Sequence, residues 1–258
     1  MDKSRSFDFA FVLCRPQSAG NIGAAARVLK NLGFSDLRLV APTPRHGGHA
    51  TAMAVHAKDV LASAITWPDL APALADCTLT VGTTCRSGPY REAAEPLRDV
   101  APELVKLAAS NRVAIIFGAE DHGLTNEELK FCQRLITIPT APEYRSLNLA
   151  QAVGIVAYEL AMAMASPGEA RQEEQTFASA VEVDAMLDRM RDALLAIGFL
   201  PDDNPEHIMF TLRAIFGRSG LSAREVDVLS GIARQMRWAG EGGHATLEAK
   251  RSAGKKLR

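Results

Sequence analysis

Residues 17–34, QSAGNIGAAARVLKNLGF, decide the fold, because they place a glycine-studded turn and an amphipathic helix directly after an apolar run. A strand is predicted at Asp8–Leu13, and the helix is predicted at Ile22–Leu32. Gly33 is well placed to end that helix, since glycine readily adopts the left-handed conformation that closes helices. A glycine-rich turn between a strand and a helix is typical of phosphate-binding loops, which raises the hypothesis of a dinucleotide site.

The dinucleotide hypothesis fails two requirements. The fingerprint needs G-x-G-x-x-G and an acidic residue about 20 positions later, but Gly20 and Gly23 are spaced G-x-x-G and the run LRLVAP at 37–42 holds no acid. A nicotinamide-dependent oxidoreductase is therefore disfavoured. Close packing of the helix on the sheet would explain the small residues. It would leave Asn21 as an N-cap and Arg27 as a surface charge, unless both have another function.

Apolar runs alternate with amphipathic stretches up to about residue 165, a pattern typical of a parallel sheet covered by helices on both faces. The further strands are predicted at Leu37–Val40, Leu79–Val81, Val113–Phe117 and Leu135–Ile138. The further helices are predicted at Asp59–Ala64, Pro68–Ala75, Glu95–Ala109, Asn126–Cys132 and Leu147–Ala165. The predicted domains are an α/β domain at 1–165, a polar linker at 166–178, and a helical extension with a basic tail at 179–258.

The composition is that of an ordinary globular chain, with 258 residues, 47% of them hydrophobic, and a net charge of −1. Nucleic-acid binding would therefore need a local positive patch.

The four cysteines form no CxxC pair, which favours free, mostly buried thiols in a reducing cytoplasm. Neither a signal peptide nor a membrane span is expected. His46 and His49 lack further ligands nearby, so no metal is expected.

Two later stretches place polar residues directly after strands, where open α/β sheets bind ligands. In VAIIFGAEDHGLTNEEL, residues 113–129, Gly118 opens a tight loop that contains Glu120. This carboxylate could equally cap a neighbouring backbone group. In ITIPTAPEYRSLNLAQAVGIVAYEL, residues 136–160, a strand leads through a proline-bearing loop into a long helix. Ser146 is expected to cap that helix.

Taken together, the three stretches resemble the three motifs of the SpoU, or TrmH-like, branch of the SPOUT methyltransferases. The residues that carry the resemblance are Asn21, Gly23, Arg27, Gly33, Gly118, Glu120, Gly123, Pro139, Ser146 and Asn148. It extends from about residue 9 to 165. The stretches VGTTCRS, GLTNEEL and PEYRSLNLAQAV, together with the helical extension, are similar to the TrmJ subgroup.

The resemblance implies S-adenosylmethionine as cofactor and an α/β parallel sheet, flanked by helices, with a deep trefoil knot at its C-terminal end. It also implies a homodimer whose site is built by both chains. The expected reaction is 2′-O-methylation of a ribose in the tRNA anticodon loop, on cytidine or uridine at nucleotide 32. The alternatives are the same chemistry on ribosomal RNA or at another tRNA position, and an inactive RNA-binding knot protein.

The resemblance also implies roles for individual residues. The predicted catalytic residues are Arg27, Asn21, Glu120, Ser146 and Asn148. The predicted cofactor-binding residues are Thr83, Thr84, Gly118, Ala119, Glu120, Ile138, Pro139, Ser146, Leu147 and Asn148. Separately from the resemblance, basic residues near the motif loops are predicted to bind RNA, namely Arg15, Arg27, Arg86 and Arg145, with Arg45 and Arg91 close by. Arg145 departs from the family's pattern, which would have a small polar residue there. A scattered set of exposed charges is the alternative.

Arg27 matches the arginine proposed as activator in the family. A guanidinium rarely loses its proton, so we expect Arg27 to hold a phosphate or to stabilise a developing alkoxide. The helical extension is expected to grip the tRNA body through its arginines. The competing interpretation is that it stabilises the dimer.

Overall fold

The computed structural model describes residues 7–43, 48–86, 88, 90–165, 177–201 and 203–243. The strands are β1 (Asp8–Cys14), β2 (Asp36–Val40), β3 (Ile65–Trp67), β4 (Leu79–Thr83), β5 (Glu95–Pro96), β6 (Arg112–Phe117) and β7 (Arg134–Thr137). The helices are α1 (Ala19–Asn31), α2 (Gly48–Ala54), α3 (Lys58–Ser63), α4 (Leu70–Ala73), α5 (Leu97–Ala108), α6 (Asn126–Leu129), α7 (Leu149–Ala165), α8 (Ala180–Ala196), α9 (Glu206–Ser219) and α10 (Ala223–Gly240). The strands form one sheet in the order β3-β2-β1-β6-β4-β7-β5.

Every adjacent pair of strands in this sheet is parallel. The structure thereby confirms the predicted α/β class, and three helices follow the sheet as expected. Helices cover both faces. One apolar cluster lies beneath α1, α5 and α7, and a second surrounds α4 and α6. Among the described helices, none combines the length and the apolar composition of a transmembrane span.

Two edge strands and one helix were not predicted. β3 and β5 have three and two residues, too few for a periodic pattern, and α2 is also short. β5 occupies the start of the helix predicted at Glu95–Ala109, which begins at Leu97 instead. The helix predicted at Pro68–Ala75 is reduced to Leu70–Ala73.

Helix α1 begins and ends through local hydrogen bonds. Its N-cap is Ser18, whose Oγ accepts from the backbone N–H of Asn21 at 3.4 Å. The interpretation of Asn21 as the cap is therefore wrong. At the other end Gly33 has φ +85°, and the N–H of Phe34 donates to the carbonyl of Leu29 at 2.9 Å. This is the six-to-one bond of a Schellman ending, which confirms the prediction for Gly33.

Gly23 allows a close helix contact, but the partner differs from the one predicted. A Cβ at this position would overlap the carbonyl oxygen of Ala50 in α2. The small residue therefore lets α1 pack against α2 rather than against the sheet. Ala25 and Ala26, on another side of α1, are fully buried in the core.

An ion-pair cluster joins the amino ends of β1, β2 and β6. The guanidinium of Arg38, only 6% exposed, lies 2.6 Å from a carboxylate oxygen of Asp76 and 2.9 Å from one of Asp36. Arg112 pairs with Asp8 at 3.0 Å and also contacts Asp76. The hydrogen bond from Arg38, above all, holds the pKa of Asp76 well below its usual range.

The helical region is attached to the α/β domain by hydrogen bonds that its backbone N–H groups donate. Of the predicted linker, residues 166–176 lie outside the described residues, whereas Phe177 and Ala178 are buried. The N–H of Phe177 donates to Oδ1 of Asn111 at 2.9 Å. The N–H of Ala180 donates to the carbonyl of Cys77 at 2.7 Å. The predicted basic tail lies outside the described residues.

Candidate active site

A cavity of about 230 Å³ lies where β4, β6 and β7 end at their carboxyl edges. It contains eight of the ten residues predicted to bind the cofactor: Thr83, Thr84, Gly118, Ala119, Glu120, Ile138, Ser146 and Leu147. Pro139 and Asn148 are adjacent in the chain but do not line it. The cavity is also lined by Cys85, Asp121, His122 and Leu149, which were not predicted from the sequence. Their direct adjacency to predicted residues was the available signal.

Glu120 joins the loop after β6 to the start of α1. Its Oε2 accepts from the backbone N–H of Gln17 at 2.8 Å. Its Oε1 accepts from the backbone N–H of Ser18 at 3.1 Å and from Nδ2 of Asn21 at 2.8 Å. The alternative role considered for Glu120, a carboxylate that caps neighbouring backbone groups, is thus present, and the same carboxylate borders the cavity.

Asn148 connects the third segment to this network. Its Nδ2 donates to Oδ1 of Asn21 at 2.9 Å, and its Oδ1 accepts from the backbone N–H groups of Ala150 and Gln151 at 2.9 and 3.3 Å. Asn148 therefore caps α7, and the prediction of Ser146 as the cap is wrong. Because α7 begins at Leu149, two residues later than predicted, Ser146 lines the cavity instead.

The loop after β6 has a shape that requires glycine. A Cβ on Gly118 would overlap the backbone of Gly123 and Leu124. The loop closes on itself through a hydrogen bond of 2.8 Å from the N–H of Gly123 to the carbonyl of Ala119. Gly123 has φ +66°, a conformation that residues with side chains rarely adopt. This turn places Glu120 against α1.

Arg15 is engaged in a structural ion pair. Its Nε and Nη2 donate to the two carboxylate oxygens of Glu128 at 2.8 and 2.9 Å. Burial opposes ionisation of Glu128, but hydrogen bonds from Arg15 and Thr125 outweigh it and lower the pKa of the carboxyl. The charge of Arg15 is thus neutralised within the chain, and its role in RNA binding stays a prediction.

Three other arginines border the cavity: Arg86, Arg91 and Arg145. Arg86 donates to the carbonyl of Asp121 at 3.2 Å, and Arg91 donates to that of Leu124 at 3.0 Å. Burial, followed by the charge of Arg86, lowers the pKa of Arg91. Arg45 lies outside the described residues.

The cysteines are free, as predicted: Cys14, Cys77 and Cys132 are buried, and Cys85 is exposed. Burial raises the pKa of Cys77 to about 12, which keeps it a thiol at neutral pH. Within the described ranges, no group of three or more His, Cys, Asp or Glu side chains could hold a metal ion. His46 lies outside those ranges.

Comparison with known families identifies this arrangement. The model of the SpoU rRNA methylase family matches residues 8–158. The chain belongs to the SpoU methylase family. A second model, the C-terminal domain of the tRNA methyltransferase TrmJ, matches residues 181–250, within the helical region.

Relatives of this SpoU methylase match nearly the whole chain. The tRNA (cytidine/uridine/adenosine-2′-O-)-methyltransferase TrmJ of Pseudomonas aeruginosa is 39% identical, over 86% of this chain and 90% of its own. The tRNA (cytidine/uridine-2′-O-)-methyltransferase TrmJ of Escherichia coli K12 is 35% identical, over 91% and 97%. The crystal structure of TrmJ from Z. mobilis superposes with a TM-score of 0.73 at 33% identity, covering 88% of this chain and 98% of that one.

In this SpoU methylase Arg27 is not brought to the cavity of its own chain. It is exposed on α1, six residues after Asn21, so its side chain points about 120° away from that of Asn21 and lies about 9 Å along the axis. The neighbouring helix α7 carries an exposed apolar stripe of Ile155, Tyr158 and Met162, with exposures of 36%, 51% and 43%. Arg27 therefore lies on a helix packed beside an uncovered apolar surface.

Proposed function

We propose that this chain transfers a methyl group from S-adenosylmethionine to a ribose 2′-hydroxyl of tRNA, on cytidine or uridine at nucleotide 32 of the anticodon loop. The observation that carries the proposal is the meeting of Asn21, Glu120 and Asn148 beside one cavity at the carboxyl ends of β4, β6 and β7. The activities printed for the two curated TrmJ relatives support the same substrate class.

The cavity suits the proposed cofactor. Ile138 and Leu147 provide apolar walls for an adenine ring, and backbone groups at the strand ends can contact its polar edges. Glu120 and Asp121 are acidic residues of the lining, and the part of the cavity next to them would favour a cation. When bound, S-adenosylmethionine supplies an activated methyl group on a cationic sulfonium.

The chain's own residues would orient the hydroxyl and control its charge. A 2′-hydroxyl loses its proton as it attacks, and a guanidinium beside it stabilises the developing negative charge or holds the adjacent phosphate. We assign this role to Arg27. Asn21, Glu120 and Asn148 would fix the relative positions of α1, α7 and the loop after β6, because their side chains form one continuous hydrogen-bonded chain. Ser146, at the cavity wall, would position the hydroxyl.

Because Arg27 lies outside the cavity of its own chain, we further propose a homodimer with composite sites. Burial of the exposed stripe on α7 would drive association, since the removal of apolar surface from water lowers the free energy. The packing of α1 beside α7, where Gly154 faces Val28, would then carry Arg27 toward the partner's cavity. Two-fold symmetry would produce two equivalent sites.

Subunit complementation tests the composite site. Arg27→Ala and a cavity variant, Leu147→Arg, would each be inactive alone. In a 1:1 mixture that is dissociated and reassociated, about one quarter of the sites would combine an intact cavity with an intact Arg27. Activity of the mixture that rises toward about one quarter of the wild-type activity supports the composite site. If heterodimers are verified and no activity returns, the composite site is refuted. Tyr158→Glu should give monomers in analytical ultracentrifugation.

Arg86 and Arg145 are our candidates for phosphate contacts at the mouth of the cavity. Each is exposed, and neither forms an ion pair with a described carboxylate. Loss of either arginine should weaken tRNA binding. It should also reduce, by about one unit, the slope of the logarithm of the binding constant against the logarithm of the salt concentration. Glu143→Gln is the control, because it alters an exposed charge of the opposite sign beside the same loop.

We also propose that the helical extension contacts tRNA, although part of its basic character is already neutralised. Arg213 pairs with Asp184 at 2.6 Å and Arg237 with Glu241 at 2.8 Å. Arg224 and Arg234 are exposed on α10 and are better candidates. The side chain of Arg218 lies outside the described residues. Reversal of the charges of both Arg224 and Arg234 should weaken tRNA binding and leave the dimer unchanged. Dissociation of the dimer into monomers would favour the alternative that the helical extension stabilises the dimer.

The direct test of the proposed function is methyl transfer. Purified protein would be incubated with labelled S-adenosylmethionine and unmodified tRNA, and the 2′-O-methyl groups would be mapped. One methyl at nucleotide 32 confirms the proposal, and exchange of cytidine for uridine at that position sets the base choice. Transfer only to ribosomal RNA, or to another tRNA position, would keep the chemistry and overturn the substrate. Cofactor binding without any transfer would favour an inactive RNA-binding protein.

We propose the division into 1–165, 166–178 and 179–258, a cytoplasmic location, and the trefoil knot that the family resemblance implies. Limited proteolysis at 166–176 would test the domain division. We expect no metal requirement, which transfer assays in the presence of EDTA would test.

A further inference from the structure

The described residues of the segment 84–94, which are 84–86, 88 and 90–94, form one wall of the cavity and lie against the helical region. The segment follows β4 and contributes Thr84, Cys85, Arg86 and Arg91 to the lining. Tyr90, beside Arg91, turns the other way and packs against α9, with its ring centroid 4.2 Å from that of Phe210. This aromatic contact links the cofactor wall to the helical region.

Helix α9 is fixed to the α/β domain at two further points. A Cβ on Gly217 would overlap the carbonyl of Gln133, the residue directly before β7. The backbone of α9 therefore packs against that carbonyl at a distance that leaves room only for glycine. Gln133 is in turn bonded to β4, since its Oε1 accepts from the N–H of Thr80 at 2.8 Å. Lys130 lies 3.5 Å from Glu206 at the start of α9. The helix thus provides an anchored surface for Tyr90.

The inner side of the same segment is held by Arg91. Its Nη2 donates to the carbonyl of Leu124 at 3.0 Å, and its Nη1 donates to Oδ1 of Asn126 at 3.4 Å. These partners lie just after the loop that presents Glu120. The wall is therefore held from inside by Arg91 and from outside by Tyr90.

We infer that Tyr90 is a positioning residue through which α9 holds the 84–94 wall, so that cofactor affinity depends on the helical region. The inference rests on the proposed function for the identity of the cofactor. It assigns to the helical region a role in cofactor binding that is separate from any contact with tRNA. Phe210 does not line the cavity, so an effect of its removal on cofactor binding would be indirect, and Tyr90 is the aromatic ring that it contacts.

The test is calorimetric titration of full-length protein with S-adenosylmethionine, without RNA. Phe210→Ala and Tyr90→Ala should each weaken binding about tenfold, the scale of one aromatic contact and its ordering effect. The double variant should be no weaker than either single variant, because both remove one interaction. Tyr90→Phe should retain wild-type affinity, since the ring makes the contact. Phe199→Ala, which truncates a 60% exposed ring in the helical region, is the control.

Two additional measurements separate positioning from general destabilisation. In steady-state assays Phe210→Ala should raise the KM for the cofactor and leave kcat at saturation near that of wild type. Hydrogen exchange in 84–94 should accelerate in this variant and not in the control. Cofactor affinity of Phe210→Ala within twofold of wild type, or unchanged exchange in 84–94, would overturn the inference. A wild-type chain that binds no S-adenosylmethionine would instead overturn the proposed function, and exchange would still report on the segment.

Discussion

Replacement of Glu120 by glutamine tests whether the three motif segments form one unit. The carboxylate accepts from two backbone N–H groups and one side-chain amide, so both of its oxygens are in use. Glutamine has nearly the same shape, but it replaces one oxygen with an NH₂ donor. If NH₂ replaces Oε2, the N–H of Gln17 loses its acceptor. If it replaces Oε1, both Ser18 and Asn21 lose theirs.

At least one hydrogen bond to a charged acceptor is therefore lost in either orientation. Such a bond contributes about 1.5–3 kcal/mol, and the site is half-buried, so water compensates in part. We expect Glu120→Gln to lower the free energy of unfolding by about 2 kcal/mol. For a chain of this size that corresponds to a decrease in Tm of about 4–8 °C.

Urea unfolding followed by circular dichroism would measure the change, with Glu127→Gln as the matched control. Glu127 is four-fifths exposed, and its one ion pair within the described residues is with Lys130 at 3.1 Å, so its loss should cost less than about 1 kcal/mol. Methyl transfer by Glu120→Gln should decrease about tenfold or more, because α1 and the cavity loop lose their connection. Equal stability of the two variants would refute the structural argument.

Three other outcomes are expected. Arg27→Lys should reduce kcat at least about 100-fold, because lysine lacks the planar guanidinium of arginine. Cofactor binding measured by calorimetry should be unchanged, because Arg27 lies outside the cavity. A retained kcat would exclude the assigned role. Gly118→Ala should destabilise the chain by about 3 kcal/mol in urea unfolding, whereas Gly48→Ala, where a Cβ meets nothing within 4 Å, should be neutral. Arg38→Met should destabilise at neutral pH. The pKa of Asp76 is depressed in the folded state. The stability that ionised Asp76 contributes through its pair with Arg38 is therefore present above about pH 4 and is lost on acidification. The difference from wild type in urea midpoint should accordingly narrow toward pH 2, and a constant difference would contradict this assignment.

The elements that the sequence predicted are those with strong internal patterns. β1 and β6 are apolar runs buried on both faces, and α1 has a cap, an apolar face and a terminal glycine within one stretch. β3 and β5 lack such patterns because they exist through pairing at the sheet edges. Ile65 of β3 is 56% exposed, and β5 contains Pro96.

The candidate site was predictable as a set of residues but not as a set of contacts. Asn21, Glu120 and Ser146 were identified from motifs, yet their partners depend on tertiary geometry. The cap of α7 shows the difference: Ser146 and Asn148 are both good capping residues, and local sequence does not decide between them. The bond between Asn148 and Asn21, and the emergence of α7 at Leu149, decide it.

The bridging amide of Asn21 also restricts how this enzyme can be recombined with its relatives. It contacts partners 99 and 127 positions away in the chain, so a crossover between residues 21 and 148 would combine one parent's amide with the other parent's carboxylate or cap. With relatives that share 35–39% of positions, small backbone offsets between parents would suffice to separate these atoms. Chimeric libraries in this family should therefore inherit residues 17–151 as one block, with junctions placed after the cap of α7.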